Sequence, residues 1–267
     1  MVDIAVNLTH RFFDPDRDAV LKECFAPGTE IKALLLTGTT FKDSEATVAM
    51  CAQYPQYKLF ATIGVHPHNA KRFTVKGMAR LVALLESPET RQYVKAVGEC
   101  GLDYHHNCSS RAEQIKCFEA HLGLAIRYRL PLFLHERHAH REFLEVLDRY
   151  ADEFRVAGVR VVVHCFTGTR AEVEEYVKRG FYIGITGWLC DVARNAPLLD
   201  ALEVIPLDRL MIETDSPFLS PLGDGRNSPA NLPLVLDRLA QTLKLDRDHL
   251  ATVLLNNTVK FLDLPPL

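Results

Sequence analysis

The sequence predicts an α/β protein of the (β/α)₈ barrel (TIM barrel) class, a single domain over residues 1–267. Three observations predict it. First, eight short apolar runs rich in β-branched residues recur along the chain: Ile4–Leu8, Lys32–Thr37, Leu59–Val65, Val94–Gly98, Pro131–Leu134, Val159–Val163, Phe181–Ile185 and Arg209–Ile212. Nearly all are continuous in hydrophobicity, the mark of parallel strands covered on both faces. Second, amphipathic stretches separate them, and strand followed by helix about eight times fits one barrel of roughly 250 residues. Third, the turn after the first run, Asn7-Leu8-Thr9-His10, lacks the glycine-rich phosphate turn of a doubly wound sheet.

The helical signals are explicit. Ser110-Arg111-Ala112-Glu113 reads as a capping box, with Ile115, Phe118, Leu122 and Ala125 on one stripe behind it. Thr169-Arg170-Ala171-Glu172 is a second box, leading into Val173, Tyr176 and Val177. Phe143, Leu144, Leu147 and Tyr150 form another stripe, and Leu232, Val235, Leu236, Leu239 and Leu243 a further one. Glycine and proline, 14 each, are spread out, so no linker or low-complexity tract interrupts the pattern.

Composition excludes several classes. An apolar share of 48% repays the entropy of ordering, so the chain is not disordered. Its 31 Lys and Arg against 34 Asp and Glu leave a net charge of −3, which argues against coating duplex nucleic acid by bulk electrostatics. No run of about 18 apolar residues is present to span a membrane. The opening Met1-Val2-Asp3-Ile4 lacks a secretory pattern, and seven cysteines without repeating spacing do not read as a disulfide framework. The expected compartment is the cytoplasm, or the nucleus in a eukaryote.

A barrel carries its chemistry on the loops at the carboxyl ends of the strands. Glu99 falls just beyond the fourth run, His135 beyond the fifth, His164 beyond the sixth and Asp215 beyond the eighth. Two imidazoles and two carboxylates meeting at one mouth form a divalent-metal ligand set. Alone, each has an ordinary explanation: a satisfied structural histidine, an ion-pair partner, or a helix cap before Pro217. Together they predict a hydrolytic centre in which Asp215 takes the proton from an attacking water. His66 and His68 close the third run with Pro67 between them; they are ligands, phosphate contacts or a rigid turn, and His66 is the better candidate. Tyr104-His105-His106 is expected to be a solvated loop, and His10, His121 and His249 to be structural or superficial. Arg137, on the loop after the fifth run, is either a phosphate clamp or a surface arginine. Trp188 either stacks a base or packs the barrel top.

With these motifs in order, the chain resembles the TatD family of metal-dependent deoxyribonucleases over essentially its whole length. The resemblance rests on Thr62-Ile63-Gly64-Val65-His66-Pro67-His68, Val97-Gly98-Glu99-Cys100-Gly101-Leu102-Asp103, Leu134-His135-Glu136-Arg137, Val163-His164-Cys165-Phe166-Thr167-Gly168 and Glu213-Thr214-Asp215-Ser216-Pro217. It implies a Mg²⁺-dependent exonuclease working from the 3′ end of single-stranded or frayed DNA, with RNA an open alternative. It implies no membrane or obligate protein partner. Glu99, His135, His164 and Asp215 are then metal ligands, with Glu99, Asp215 and His66 catalytic, and His66 beside the scissile phosphate. Substrate contacts fall to His66, His68, Arg137, Arg226 and Asn227. The mixed ligands would also accept Zn²⁺ or Mn²⁺.

Departures from the family pattern are local. Asn7 and Thr9 stand where many barrel metallohydrolases carry His-x-His, so a second ion would be weakly held there. His138 replaces the usual Asp three residues after His135, Ser228 replaces a common Glu, and the segment 219–226 is short. Two other classes remain open: a barrel metallohydrolase acting on another ester or amide, such as an aminoacyl-tRNA ester, and a non-catalytic nucleic-acid-binding relic.

Overall fold

Eight parallel strands occur in chain order in one sheet, alternating with helices, as the (β/α)₈ class requires. A computed structural model describes all residues except Asp224 and Pro266, so Asp224 of the short 219–226 segment lies outside the described residues. The strands are β1 Val2–Val6, β2 Ala33–Leu36, β3 Leu59–Ile63, β4 Val94–Asp103, β5 Leu132–Arg137, β6 Val161–Val163, β7 Tyr182–Ile185 and β8 Leu210–Ile212. The helices are α1 Arg17–Cys24, α2 Phe41–Gln53, α3 Val75–Glu86, α4 Pro88–Arg91, α5 Arg111–Tyr128 and α6 His140–Asp148. There follow α7 Ala151–Ala157, α8 Arg170–Lys178, α9 Ala196–Leu202, α10 Leu232–Leu243 and α11 Arg247–Leu262.

The chain divides into two compact units. One comprises Met1–Leu36, Pro55–Leu59 and His164–Leu267, the other Thr37–Tyr54 and Phe60–Val163. In the first unit, every residue of β1, β2, β7 and β8 is buried, which is why these runs carry no polar alternation. Val6 bridges Ser216 in parallel, so the chain leaving β8 meets the end of β1. Tyr182 packs on Phe261 of α11 with ring centroids 5.1 Å apart.

In the second unit, β4 pairs with β5 and β5 with β6. Helix α5 starts at the capping box: Ser110 Oγ accepts from Glu113 N–H while the Glu113 carboxylate accepts from Ser110 N–H. Its buried face is Gln114, Cys117, Phe118, His121, Leu122, Leu124 and Ala125, with Phe118 stacked on Phe143 of α6 at 5.4 Å. Ile115, assigned to that stripe by spacing, is only half-buried. The second box, Thr169 with Glu172, is also present and opens α8.

Two strands are longer than their apolar runs suggest. β4 continues through Asp103 and β5 through Arg137, with Asp103 opposite Arg137 in register. Glu99 and His135 therefore lie inside strands rather than just beyond them, and Arg137 ends a strand instead of sitting on the following loop. Among the described residues no helix is long and apolar enough to cross a membrane. None of the seven cysteines forms a disulfide.

Candidate metal centre

Glycine sets the geometry of β4. Gly98 and Gly101 have φ of +148° and +141°, backbone that side chains rarely adopt. A Cβ at Gly98 would lie 2.1 Å from Phe133 O, and one at Gly101 1.9 Å from His135 O. The absent side chains let β4 run tight against β5, with Gly101 opposite His135. Glu99 projects between them and is 5% exposed, its N–H donating to Gly38 O at 2.8 Å.

Three candidate ligands, two imidazoles and a carboxylate, converge there. His66 Nε2 lies 3.2 Å and His135 Nδ1 3.1 Å from Glu99 Oε1, and the two imidazole centroids are 4.5 Å apart. One donor atom from each of His66, Glu99 and His135 falls within 4.8 Å of the others. His66 Nδ1 accepts from His68 N–H at 3.1 Å, which turns Nε2 toward Glu99. Burial pushes the His66 pKa down to about 4 even though the Glu99 carboxylate pulls it up. With Nδ1 accepting, the neutral His66 ring carries its proton on Nε2 and donates it to Glu99 Oε1, while the buried Glu99 carboxylate and the His135 imidazole are ligand types that a divalent cation takes. The residues fit such an ion.

A second group adjoins the first. His68 Nε2 lies 2.6 Å from Asp103 Oδ2, His106 Nδ1 2.8 Å, and His135 Nε2 3.3 Å. Burial raises the Asp103 carboxyl, but hydrogen bonds from His135, His68 and His106 outweigh it and hold the pKa well below the usual carboxylate range. The Tyr104-His105-His106 segment is thus only partly the solvated loop its polarity suggests. His106 turns its ring onto Asp103, and the Tyr104 hydroxyl donates to Glu142 Oε2 at 2.5 Å. His105 meets His138 ring to ring at 4.8 Å, and His138 is exposed with φ +53°.

The first unit holds the other expected ligands. His164, 4% exposed, immediately follows the end of β6, and its Nδ1 is 3.6 Å from Glu213 Oε1. Glu213 is fully buried and also accepts from Cys165 N–H, while its Oε2 has no hydrogen-bond partner among the described residues. Sequence reading passed over Glu213; its signal was an acid directly after the apolar β8 run. Asp215 is held at φ +50° and Cys165 at +47°, left-handed backbone that costs a non-glycine residue about 1 kcal/mol or more and is typical of functional positions. Asn7 Nδ2 donates to Asp215 Oδ1 at 3.0 Å and to Ser216 O at 3.2 Å. Asn7 thus orients a carboxylate.

The rim residues are committed locally. Arg226 forms a forked pair with Asp16, at 2.6 and 2.7 Å, and donates to Phe12 O. Asn227 is fully buried, its amide donating to Thr214 O, Phe218 O and Leu219 O, so its side chain braces the loop after β8. Arg137 is half-buried at the end of β5. Trp188 carries Arg194 over one ring face at 4.0 Å and borders a cavity of about 520 Å³ with Asp191, Leu219 and Ser220. His121 is structural, as expected: it is fully buried, Nε2 accepting from Val65 N–H at 3.1 Å and Nδ1 donating to Cys117 O at 2.7 Å.

A family model described as TatD related DNase matches residues 2–263. The chain belongs to the TatD DNase family. It is 42% identical over 246 residues to the 3′-5′ ssDNA/RNA exonuclease TatD of Salmonella typhimurium, covering 90% of each chain. It is 42% identical over 257 residues to the Citrobacter rodentium protein of the same name, covering 94% of this chain and 93% of that one. Among solved structures, a TatD homolog from Escherichia coli K12 matches with a TM-score of 0.87 and 26% identity, over 99% of this chain and 98% of that one. A TatD family hydrolase from Entamoeba histolytica shares the fold at a TM-score of 0.86 and 24% identity, covering 98% and 97%. Membership places the chain among the metal-dependent hydrolases that cleave phosphodiester bonds.

Proposed function

We propose that the chain is a divalent-metal-dependent 3′-5′ exonuclease acting on single-stranded or frayed DNA, and on RNA, with residues 1–267 working as one catalytic domain and Mg²⁺ as the resident ion. The observation that carries the reading is 42% identity, over nine-tenths of both chains, to an enzyme named for this activity. The proposed ligands are Glu99, His135, His164 and Asp215. A bound divalent ion supplies Lewis acidity, polarising a phosphoryl oxygen and easing deprotonation of water.

The chain's own groups do the rest. Asp215 accepts the proton of the attacking water, its carboxylate oriented by the Asn7 amide. Glu99 carries negative charge in a buried setting and keeps His66 and His135 turned inward. His66 hydrogen-bonds the scissile phosphate or assists the leaving oxygen as a hydrogen-bond donor. His68 and Arg137 line the substrate path, Arg137 meeting a phosphate, while Arg226, paired with Asp16, and the buried Asn227 brace the rim around it. The work takes place in a reducing compartment such as the cytoplasm.

Nucleotide release from a 3′-labelled single-stranded oligonucleotide tests the reading. Activity is expected to vanish with a chelator, to return with Mg²⁺, and to fall by orders of magnitude in Asp215→Asn and Glu99→Gln with folding intact. Rates close to wild type in either variant would refute the assignment. Cleavage of model esters with the oligonucleotide left whole would redirect it to another bond.

A further inference from the structure

The acid that ends β4 holds chemistry the hydrolysis does not use. Asp103 is fully buried, and its Oδ1 accepts the backbone N–H groups of His105 and His106, each at 2.9 Å. That fixes Oδ2 toward His68, His106 and His135, at 2.6, 2.8 and 3.3 Å. The His68 and His106 rings meet at 4.8 Å, with donor atoms of His68, Asp103 and His106 within 4.8 Å of one another. Two imidazole nitrogens and one fixed carboxylate oxygen thus lie close enough to share a cation.

We propose that His68, Asp103 and His106 form a second cation site, distinct from the Glu99 group, which takes a borderline transition-metal ion of the Zn²⁺ or Co²⁺ type in preference to Mg²⁺. Two nitrogens and one oxygen match such ions, whereas Mg²⁺ favours oxygen and water. Bonds of about 2.0 Å in a tetrahedral site put ligand atoms about 3.3 Å apart, so the trio must open by about half an ångström. His106 supplies that movement, since it lies on the loop after β4 and its side chain is 52% exposed. Water completes the coordination. Neutral partners Asn7 and Thr9 give no rival imidazole site at β1.

The inference does not rest on the proposed reaction, and its test keeps the two apart. The full-length chain, stripped of metal, is titrated with Co²⁺ alone, reading bound equivalents by dialysis and coordination by visible absorption. Glu99→Gln, which weakens the first group, is expected to retain one equivalent that excess Mg²⁺ does not displace. Adding His106→Ala is expected to weaken that equivalent at least tenfold and remove its tetrahedral spectrum, and adding His68→Gln to do the same. His105→Ala is expected to leave it intact. Unchanged Co²⁺ affinity in the His106→Ala background, or loss of the equivalent in His105→Ala, overturns the assignment. Failure of nucleotide release in the exonuclease assay leaves these counts unaltered.

Discussion

Replacing His121 by leucine tests how the turn carrying His66 is held. The His121 imidazole sits fully buried on α5 and accepts the N–H of Val65, the residue that precedes His66. Leucine of similar volume leaves that N–H buried without its acceptor, at a cost of about 2 kcal/mol near neutral pH. The pH dependence follows from burial, which lowers the His121 pKa from 6.5 to about 4 although its bond to Cys117 O raises it. A depressed folded pKa means that the neutral imidazole stabilises the fold fully above 6.5 and that this contribution fades as pH falls toward 4. Near pH 5 the wild type has then lost about 2 kcal/mol from this group, while His121→Leu, having nothing to titrate, has lost none. Urea unfolding of both proteins near pH 7 and pH 5 is expected to show a gap of about 2 kcal/mol at the higher pH that closes to about zero at the lower. A gap of equal size at both pH values would refute the reasoning.

Further outcomes are expected at three other positions. Asp3 is fully buried and accepts from Thr214 N–H at 2.9 Å, Thr214 Oγ1–H at 2.6 Å and Ala5 N–H at 3.2 Å, so Asp3→Ala should cost about 3–5 kcal/mol in denaturant unfolding. Burial raises the Asp3 carboxyl from 3.8 to about 8 against those hydrogen bonds, so its contribution is complete below 3.8 and fades as pH climbs to about 8, and Asp3→Asn should flatten that loss. Gly101→Ala meets His135 O at 1.9 Å with φ +141° and is expected to lose about 3–5 kcal/mol; a melting temperature within a few degrees of wild type would count against the close β4–β5 approach. Glu213→Gln, which weakens the carboxylate beside His164, should lower nucleotide release about 10- to 100-fold while far-ultraviolet dichroism stays the same. Turnover within twofold of wild type would show that Glu213 does not position that ring.

The strand–helix alternation and both capping boxes were legible because they depend on neighbours in sequence: a continuous apolar run, or a hydroxyl three residues before a glutamate. Glu99 and His135 were legible as neighbours, since their residue types and places near strand ends nominate them, whereas the closeness of His66 to both was not. The reach of β4 was not, because Gly98 and Gly101 read as strand breakers until the close β4–β5 approach explains them. Nor does local propensity reveal left-handed backbone at Cys165 and Asp215, which is imposed by tertiary structure. Asn227 looks like a surface polar residue and is instead consumed by three carbonyls. The polar loop after β4 hid the role of His106 for the opposite reason: its partner Asp103 belongs to the strand, not to the loop.

The two glycines of β4 leave the polypeptide beneath Glu99 and His135 without slack, since even a methyl group at either position would strike the neighbouring carbonyl. A cage for a larger ion is therefore out of reach of backbone widening at this spot. Under the proposed ligand set, retuning of ion preference, by evolution or by engineering, has to proceed through exchange of side chains such as those at 99 and 135 above a floor that stays fixed.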